Sequence, residues 1–358
     1  MRLKKLLIVL VVILVILLAV AAFGTFYNGE AISNEPKENV SIAIVGDVMF
    51  ARNMPSVLSM DSSPFAGVSN VTSNADLLII NFENAATTST NAVKGDVPLK
   101  CDPSYVPLAK ANNNTIATLA NNHVCDYGID GMRDTIKYVS DAGMTPMGAG
   151  ENEDDAHKAV TQNINGRNIT VLNYMDSNNF AEYSYEVLPY ANGSAPGYSA
   201  YNSADAQKQI SEARGNGSDF VIASMHFGNE YSRSPNQDQE KIAHELIDYG
   251  ADVVIGAHPH VTQGVEMYKG KPICYSMGNF IFDLARADTQ RDYFVGMDLV
   301  NDTCELTIYP VYMSGYLPYF MSAEDGKALL EELNPQCDQL NITENGTGKL
   351  TFNLTEDK

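Results

Sequence analysis

The sequence predicts an α/β fold: a largely parallel, doubly covered β-sheet followed by a second, more antiparallel one, all behind a single N-terminal transmembrane segment. Three observations carry this expectation. From Val40 onward, apolar β-rich runs alternate with segments of helical periodicity. Continuous apolar strands that alternate with helices mark a parallel sheet buried on both faces. After Pro272 the alternation stops and strand follows strand, the pattern of an antiparallel sheet. At the N-terminus, Arg2, Lys4 and Lys5 precede an uncharged apolar run from Leu6 to Phe23, which at ~1.5 Å per residue nearly matches the ~30 Å hydrocarbon core of a bilayer.

A basic flank before an apolar run leaves the N-terminus in the cytoplasm and everything after Gly24 outside. A cleaved signal peptide is the alternative, with Ala19, Val20 and Ala21 as a small-residue cleavage site. Residues 1–24 are therefore expected to form an anchor or uncleaved signal, and residues 25–39, polar and containing Pro36, a stalk. The folded domain is expected over residues 40–316, and residues 317–358, polar from Asn334, as a peripheral extension. Within the domain the strand candidates run over 41–45, 77–80, 116–119, 169–174, 220–224 and 253–255. Helical periodicity falls at 131–142, 204–214 and 237–249, and the later strands at 273–276, 293–300 and 305–309.

Beyond residue 24 the chain carries 20 Lys and Arg against 44 Asp and Glu, a formal charge of −24. That excludes a nucleic-acid partner, which requires a basic footprint. The 45% hydrophobic content of the chain supports a sizeable core. Cys101, Cys125, Cys274, Cys304 and Cys337 include no CxxC pair. They read either as buried thiols or, outside the cell, as partners in a disulfide that sequence cannot assign.

The chemistry lies where strands end. Strand 41–45 leads into Asp47, 77–80 into Glu83, 116–119 into Asn122 and His123, 220–224 into His226, and 253–255 into His258 and His260. Carboxyl ends of parallel strands lie along one edge, where ligand sites form. These residues are expected to converge on one site. Carboxylates from Asp47 and Glu83, the Asn122 amide and three imidazoles suit a pair of divalent transition-metal ions, Mn, Fe or Zn. Glu83 is the candidate bridge, since each of its oxygens can serve a different ion. His123, beside Asn122, is the candidate proton donor to a leaving group. His157 and His244 sit in helical or loop context and read as structural.

The blocks 44–49 (IVGDVM), 81–83 (NFE), 120–123 (ANNH) with Asp126 and Gly128, 226–231 (HFGNEY), 256–261 (GAHPHV) with Gln263, and 275–280 (YSMGNF) with Asp283 follow in that order. They resemble the successive motifs of the CapA family, linked to capsule and poly-γ-glutamate synthesis. The resemblance implies a metallophosphoesterase-like αββα sandwich, two packed mixed sheets flanked by helices. It also implies Asp47, Glu83, Asn122, His226, His258 and His260 as the metal set and His123 as the acid beside it; Asp47 and His123 are the residues expected to be catalytic. Met49 stands where the broader phosphoesterase pattern has histidine, and Glu83 where it has aspartate. One tight and one weaker ion are the expectation that follows.

Four further residues carry two readings each. Glu230 and Tyr231 either bind substrate or, as preferred, orient His226. Asn279 hydrogen-bonds to the site or supplies a left-handed turn. Arg52 meets an anionic substrate or is a solvated arginine. Three functions fit: a metal-dependent hydrolase or transferase on a surface polymer, a non-catalytic polymer-binding or assembly factor beside membrane-embedded synthesis proteins, and a secreted phosphoesterase of general specificity.

Overall fold

The computed structural model describes residues 38–181 and 183–354. The anchor expected over 1–24, and all of the stalk but its last two residues, lie outside the described residues. Among the described residues no helix is long and apolar enough to cross a membrane.

The expected strands form, most with longer bounds and those expected at 116–119 and 273–276 shifted toward the N-terminus, but they are shared between two sheets in an unexpected way. The first sheet holds the parallel strands β1 (Val40–Val48), β2 (Leu77–Phe82), β3 (Thr115–Thr118) and β4 (Thr145–Met147). The second holds β5 (Arg167–Met175), β6 (Phe220–His226), β7 (Val253–Ala257) and β8 (Lys271–Cys274), also parallel. After β9 (Asn279–Ile281), which pairs with β1, come β10 (Arg291–Val300) and β11 (Thr303–Ser314). These two do not build a separate antiparallel sheet: β10 pairs antiparallel with β1, and β11 with β10. Apolar alternation reports that a strand is buried on both faces but not which neighbour it takes, so the single parallel sheet of the sequence reading is two.

The layers follow from which side of each strand is apolar. Ile42, Ile44, Leu77, Ile79 and Ile116 of the first sheet meet Ile169, Val171, Phe220, Ile222, Val253 and Ile255 of the second in one buried cluster between the sheets. On the outer face of the first sheet Ala43, Val45, Leu78, Ile80 and Ala117 bury Met132 and Val139 of α1 (Gly128–Asp141). On the outer face of the second, Leu172, Val221, Ala223 and Val254 bury Ala206 and Ile210 of α2 (Ser203–Gly215), and Ile242, Ala243 and Leu246 of α3 (Gln237–Asp248). Asn236 and Gln239 close the start of α3 as a reciprocal capping box. Helices thus flank two packed sheets. All five cysteines are free and buried in these cores. Burial pushes the Cys101 and Cys274 thiols up to about 12, so they serve as small apolar side chains.

The C-terminal stretch is not a peripheral extension. Strand β12 (Gly348–Asn353) pairs with β11, and α4 (Ala323–Leu333) carries Leu329, Leu330 and Leu333 into the core between the sheets, joined by Leu350 and Phe352. Its polar composition reflects one solvated face, while the apolar residues at helical and strand spacing are buried. Leu330→Ala is expected to cost about 2–5 kcal/mol in urea unfolding. The exposed neighbour changed as Glu331→Ala should stay within about 0.5 kcal/mol.

Candidate metal centre

The carboxyl ends of both sheets open on the same side, and their side chains meet there. Strand β1 passes β9 so closely that a Cβ at Gly46 would lie 2.1 Å from the Gly278 carbonyl oxygen. One at Gly278, where φ is +75°, would lie 2.0 Å from Asp292 Oδ1. Only glycine fits at either position, and the approach sets Asp47 beside Asn279. Strand β2 delivers Asn81 and, two residues on, Glu83, which extended backbone places on the same face. Strand β6 ends in His226, and β7 runs into His258, Pro259 and His260. Here φ is +100° at His258 and +57° at His260, conformations that cost an L-residue about 1–3 kcal/mol each and persist at functional sites.

Two sets of donors share Glu83. In one, Glu83, His226 and His258 present ligand atoms all within 4.8 Å of one another; in the other, Asp47, Glu83 and His260 do the same. His226 Nε2 and His260 Nε2 lie 4.0 and 3.8 Å from the same carboxylate oxygen, Glu83 Oε1. His226 Nε2 is also 2.9 Å from Asn122 Oδ1. Donors bonded at ~2.0–2.2 Å to one ion are at most ~4.4 Å apart, so these spacings suit a divalent cation in each set. Asp47 Oδ2, Glu83 Oε1 and His258 Nδ1 are buried without a hydrogen-bond partner; the 3.2 Å approach of His260 Nδ1 to Asp47 Oδ2 lacks hydrogen-bond alignment. Each unsatisfied buried group costs about 1–3 kcal/mol, and a cation held by these residues would offset that cost. The residues therefore fit a divalent-metal centre.

Neighbouring amides aim these donors. Asn81 Nδ2 donates to Asp47 Oδ1 at 2.8 Å and Glu83 Oε2 at 3.3 Å, and lies 3.3 Å from His226 Nδ1. Asn279 Nδ2 donates to the carbonyls of His260 and Thr289, which leaves Asn279 Oδ1 to accept from His260 Nδ1 at 3.0 Å. That hydrogen bond directs the lone pair of His260 Nε2 toward Glu83. The left-handed residue at this turn is Gly278; Asn279 orients a ligand. Behind it, buried Asp292 accepts from the Asn279 N–H.

Burial governs the charges. It pushes the Glu83 carboxyl well above its ordinary value, and the facing Asp47 charge adds to the effect. It holds His226 and His258 well below the ordinary imidazole value, with neighbouring imidazoles adding. Neutral imidazole is the metal-binding form, so burial prepares these ligands, whereas Glu83 needs cationic charge beside it to ionise comfortably. For Glu83, raised in the fold, the stability contribution is present below the ordinary carboxyl range and lost as pH rises through the folded value. For the two histidines, lowered in the fold, it is present above the ordinary imidazole value and lost as pH falls.

His123 stands beside this set. Asp126 Oδ2 lies 2.6 Å from His123 Nδ1 and also accepts the Leu99 N–H. Desolvation lowers the His123 pKa, against the opposing pull of Asp126. With Nδ1–H committed to Asp126, the neutral ring offers Nε2 as a lone pair, so His123 takes up a proton before it can give one.

The remaining candidates line the mouth. Arg52 pairs with Asp283 and lies 5.4 Å over the Phe282 ring, which is itself 4.7 Å from His260. Tyr231 is 6.3 Å from His260 and carries Arg286 4.4 Å above its own ring. Glu230 is exposed. Neither Glu230 nor Tyr231 orients His226, whose ring nitrogens face Asn81 and Asn122. His157 bonds to the Glu153 and Ala200 carbonyls, and His244 to Glu266, away from the site. Met49 is fully buried in the outer-face core, its Sδ 2.8 Å from the Ala51 nitrogen. Sequence reasoning missed Asn81, Lys94 and Phe180. Asn81 was available from its two-residue spacing to Glu83. Nothing local marks Phe180, whose ring meets His258 edge-on at 4.8 Å, or Lys94, whose Nζ lies 3.3 Å from the Asn122 carbonyl oxygen.

Two measurements test the centre. His226→Ala and His258→Ala are each expected to lower the metal content found by elemental analysis while the circular-dichroism spectrum is kept, and His157→Ala to leave metal content unchanged. Glu83→Gln should also lose metal, yet raise the melting temperature of the metal-free protein at pH 7, because it removes a charge that burial disfavours. That gain should vanish below the ordinary carboxyl pKa, about 4.3, where the parent side chain is protonated too.

Residues 41–284 match the family described as bacterial capsule synthesis protein PGA_cap. The capsule biosynthesis protein CapA of Bacillus anthracis is 33% identical over 291 residues, covering 78% of this chain and 69% of its own. The PGA biosynthesis protein CapA of Bacillus subtilis is 30% identical over 349 residues, covering 94% and 89%. Among solved structures, Haemophilus influenzae NAD nucleotidase is similar over 83% of this chain and 62% of its own, with a TM-score of 0.47 and 13% identity. By the length of the family match and the identity to both Bacillus proteins, the chain belongs to the bacterial capsule synthesis protein PGA_cap family.

Proposed function

We propose that this chain acts at the outer face of the cell membrane in the synthesis or export of a capsule or poly-γ-glutamate-type polymer, through a metal-dependent hydrolase or transferase site of metallophosphoesterase type. The observation that carries the catalytic part is the pair of donor sets sharing buried Glu83, with unsatisfied ligand atoms in both. The polymer comes from relatives named for capsule and PGA biosynthesis. The membrane location comes from the basic flank and apolar run of residues 2–23.

Asn122, His226, His258 and Glu83 would hold the tighter ion, and Asp47, His260 and Glu83 the weaker. Met49 lends no ligand to the second set from its place in the core. Mn, Fe or Zn suits this mixture of imidazole, carboxylate and amide. When bound, such ions lower the pKa of a coordinated water and polarise a substrate oxygen. The chain's own residues do the rest. His123, held by Asp126, moves a proton at Nε2; Phe180 walls one side against water; Asn81 and Asn279 keep carboxylates and imidazoles in register.

The test is hydrolysis of aryl phosphates and of γ-glutamyl amides by metal-loaded and chelator-treated protein. Turnover should require metal. His123→Gln should lower it by about 10²–10⁴ with bound metal unchanged. Metal-loaded protein that turns over neither class of substrate would favour the polymer-binding or assembly role instead.

A further inference from the structure

Among the described residues only two cations are buried, Lys94 and Arg167. The Arg167 guanidinium is used on the main-chain carbonyls of Glu38 and Asn301. Lys94 sits elsewhere, on the loop between β2 and β3, with its side chain 4% exposed. The loop is tied down on either side of it, by the Val93 N–H to the Asp126 carbonyl and the Leu99 N–H to Asp126 Oδ2. Its ammonium is thereby held against the metal centre, 3.3 Å from the Asn122 carbonyl oxygen and 3.5 Å from His123 Nδ1. The face of Tyr183 lies 5.3 Å away.

An ammonium has three N–H groups. The contact with Asn122 uses one. His123 Nδ1 is committed to Asp126 and accepts none, and Asp126 Oδ1, at 3.8 Å, is beyond hydrogen-bond reach. Among the described residues no acceptor takes its other N–H groups, and such an ammonium, next to a proton-carrying histidine, is suited to an anionic oxygen. Its charge is felt at Glu83, His123, His226 and His258. The arginines at the mouth spend their N–H groups on carboxylates, Arg52 on Asp283 and Arg286 on Asp288, whereas the Lys94–Asp126 ion pair, at 3.8 Å, takes no hydrogen bond from the ammonium. For a chain so acidic, a fixed cation inside the site gives an anionic substrate a local attraction that the surface denies it.

We infer that Lys94 is a substrate-binding residue that takes an oxyanion, a carboxylate or phosphoryl oxygen, next to the bond presented to the metal centre and His123. The choice of a γ-linked glutamyl chain as the carboxylate source rests on the function proposed above; the oxyanion role itself does not.

Isothermal titration of the Mn²⁺-loaded full-length chain with inorganic phosphate, a γ-linked glutamyl tetramer and the same tetramer with its carboxylates amidated provides the test. Lys94→Met is expected to weaken phosphate and the anionic tetramer by about tenfold to a hundredfold, the loss of a charged hydrogen bond. Affinity for the neutral tetramer and Mn content should stay unchanged, and Lys94→Arg should recover most of the loss. Equal binding of phosphate by Lys94→Met and parent, equal loss of the neutral tetramer, or no binding of either anion by the parent overturns the assignment. Lys94-dependent binding of phosphate without binding of the anionic tetramer supports Lys94 while removing the polymer reading. Lys94→Met also takes the counter-charge from buried Asp126, which lowers the stability of the fold. A second measurement therefore uses the parent protein: phosphate should shift the lysine ¹⁵Nζ resonance that is missing from the Lys94→Arg spectrum, and no shift at saturating phosphate overturns the assignment.

Discussion

The centre depends on keeping the Glu83 carboxylate wholly out of water, opposite Asp47 and within about 4 Å of two imidazoles. Alone, such a group is among the least favourable a fold can bury. Its carboxyl is driven toward the protonated form by desolvation and by the Asp47 charge together. What reconciles it with neutral pH is cationic charge, and burial holds His226 and His258 well below the ordinary imidazole value, so those two rings do not supply it. The folded protein is thus built to be completed by cations.

The scaffold around Glu83 can be understood from this requirement. A site that brings carboxylates together must fix them mechanically, and around Asp47, Glu83 and His260 it does so with amide hydrogen bonds. Asn81 spans Asp47 and Glu83, and Asn279 holds His260. Glycines at 46 and 278 let β1 and β9 approach where any Cβ would collide. The positive φ angles at His258 and His260 are backbone cost accepted so that residues two apart in a loop both reach the centre. The hydrophobic layers between and outside the sheets provide the rigidity against which that cost is held.

Asp126 links the centre to its surroundings. Its carboxylate holds His123 and the Leu99 N–H, its carbonyl accepts from the Val93 and Lys94 amides, and its second oxygen faces the Lys94 ammonium. One side chain therefore sets both the ring that moves a proton and the loop that brings a buried cation to it. Opposite, Phe180 leans on His258 and Tyr183 on Lys94. Both rings come from the stretch that follows β5, so that stretch also contributes to the surroundings of the centre.

Strand identity, helix identity and the convergence of the residues that end the strands are legible from sequence, because apolar periodicity and the residues ending each strand are local properties. Asp47, Glu83, Asn122, His226, His258 and His260 all meet at one place, and the family blocks that contain them match the chain over residues 41–284. The partners of each strand were not legible. Burial on both faces looks the same whichever sheet a strand joins, so β10 and β11 read as a new sheet in sequence and extend the first one in the fold, and a polar-looking tail carries part of the core. Nor did sequence show that Met49 turns into the core, that His226 is aimed by Asn81, or that Lys94 reaches the centre from a distant loop. Sequence by itself determined which chemical groups are available and the strand ends that bear them. Only the tertiary structure decided their distances, their loss of water and hence their charge, since those depend on contacts between residues far apart in the chain.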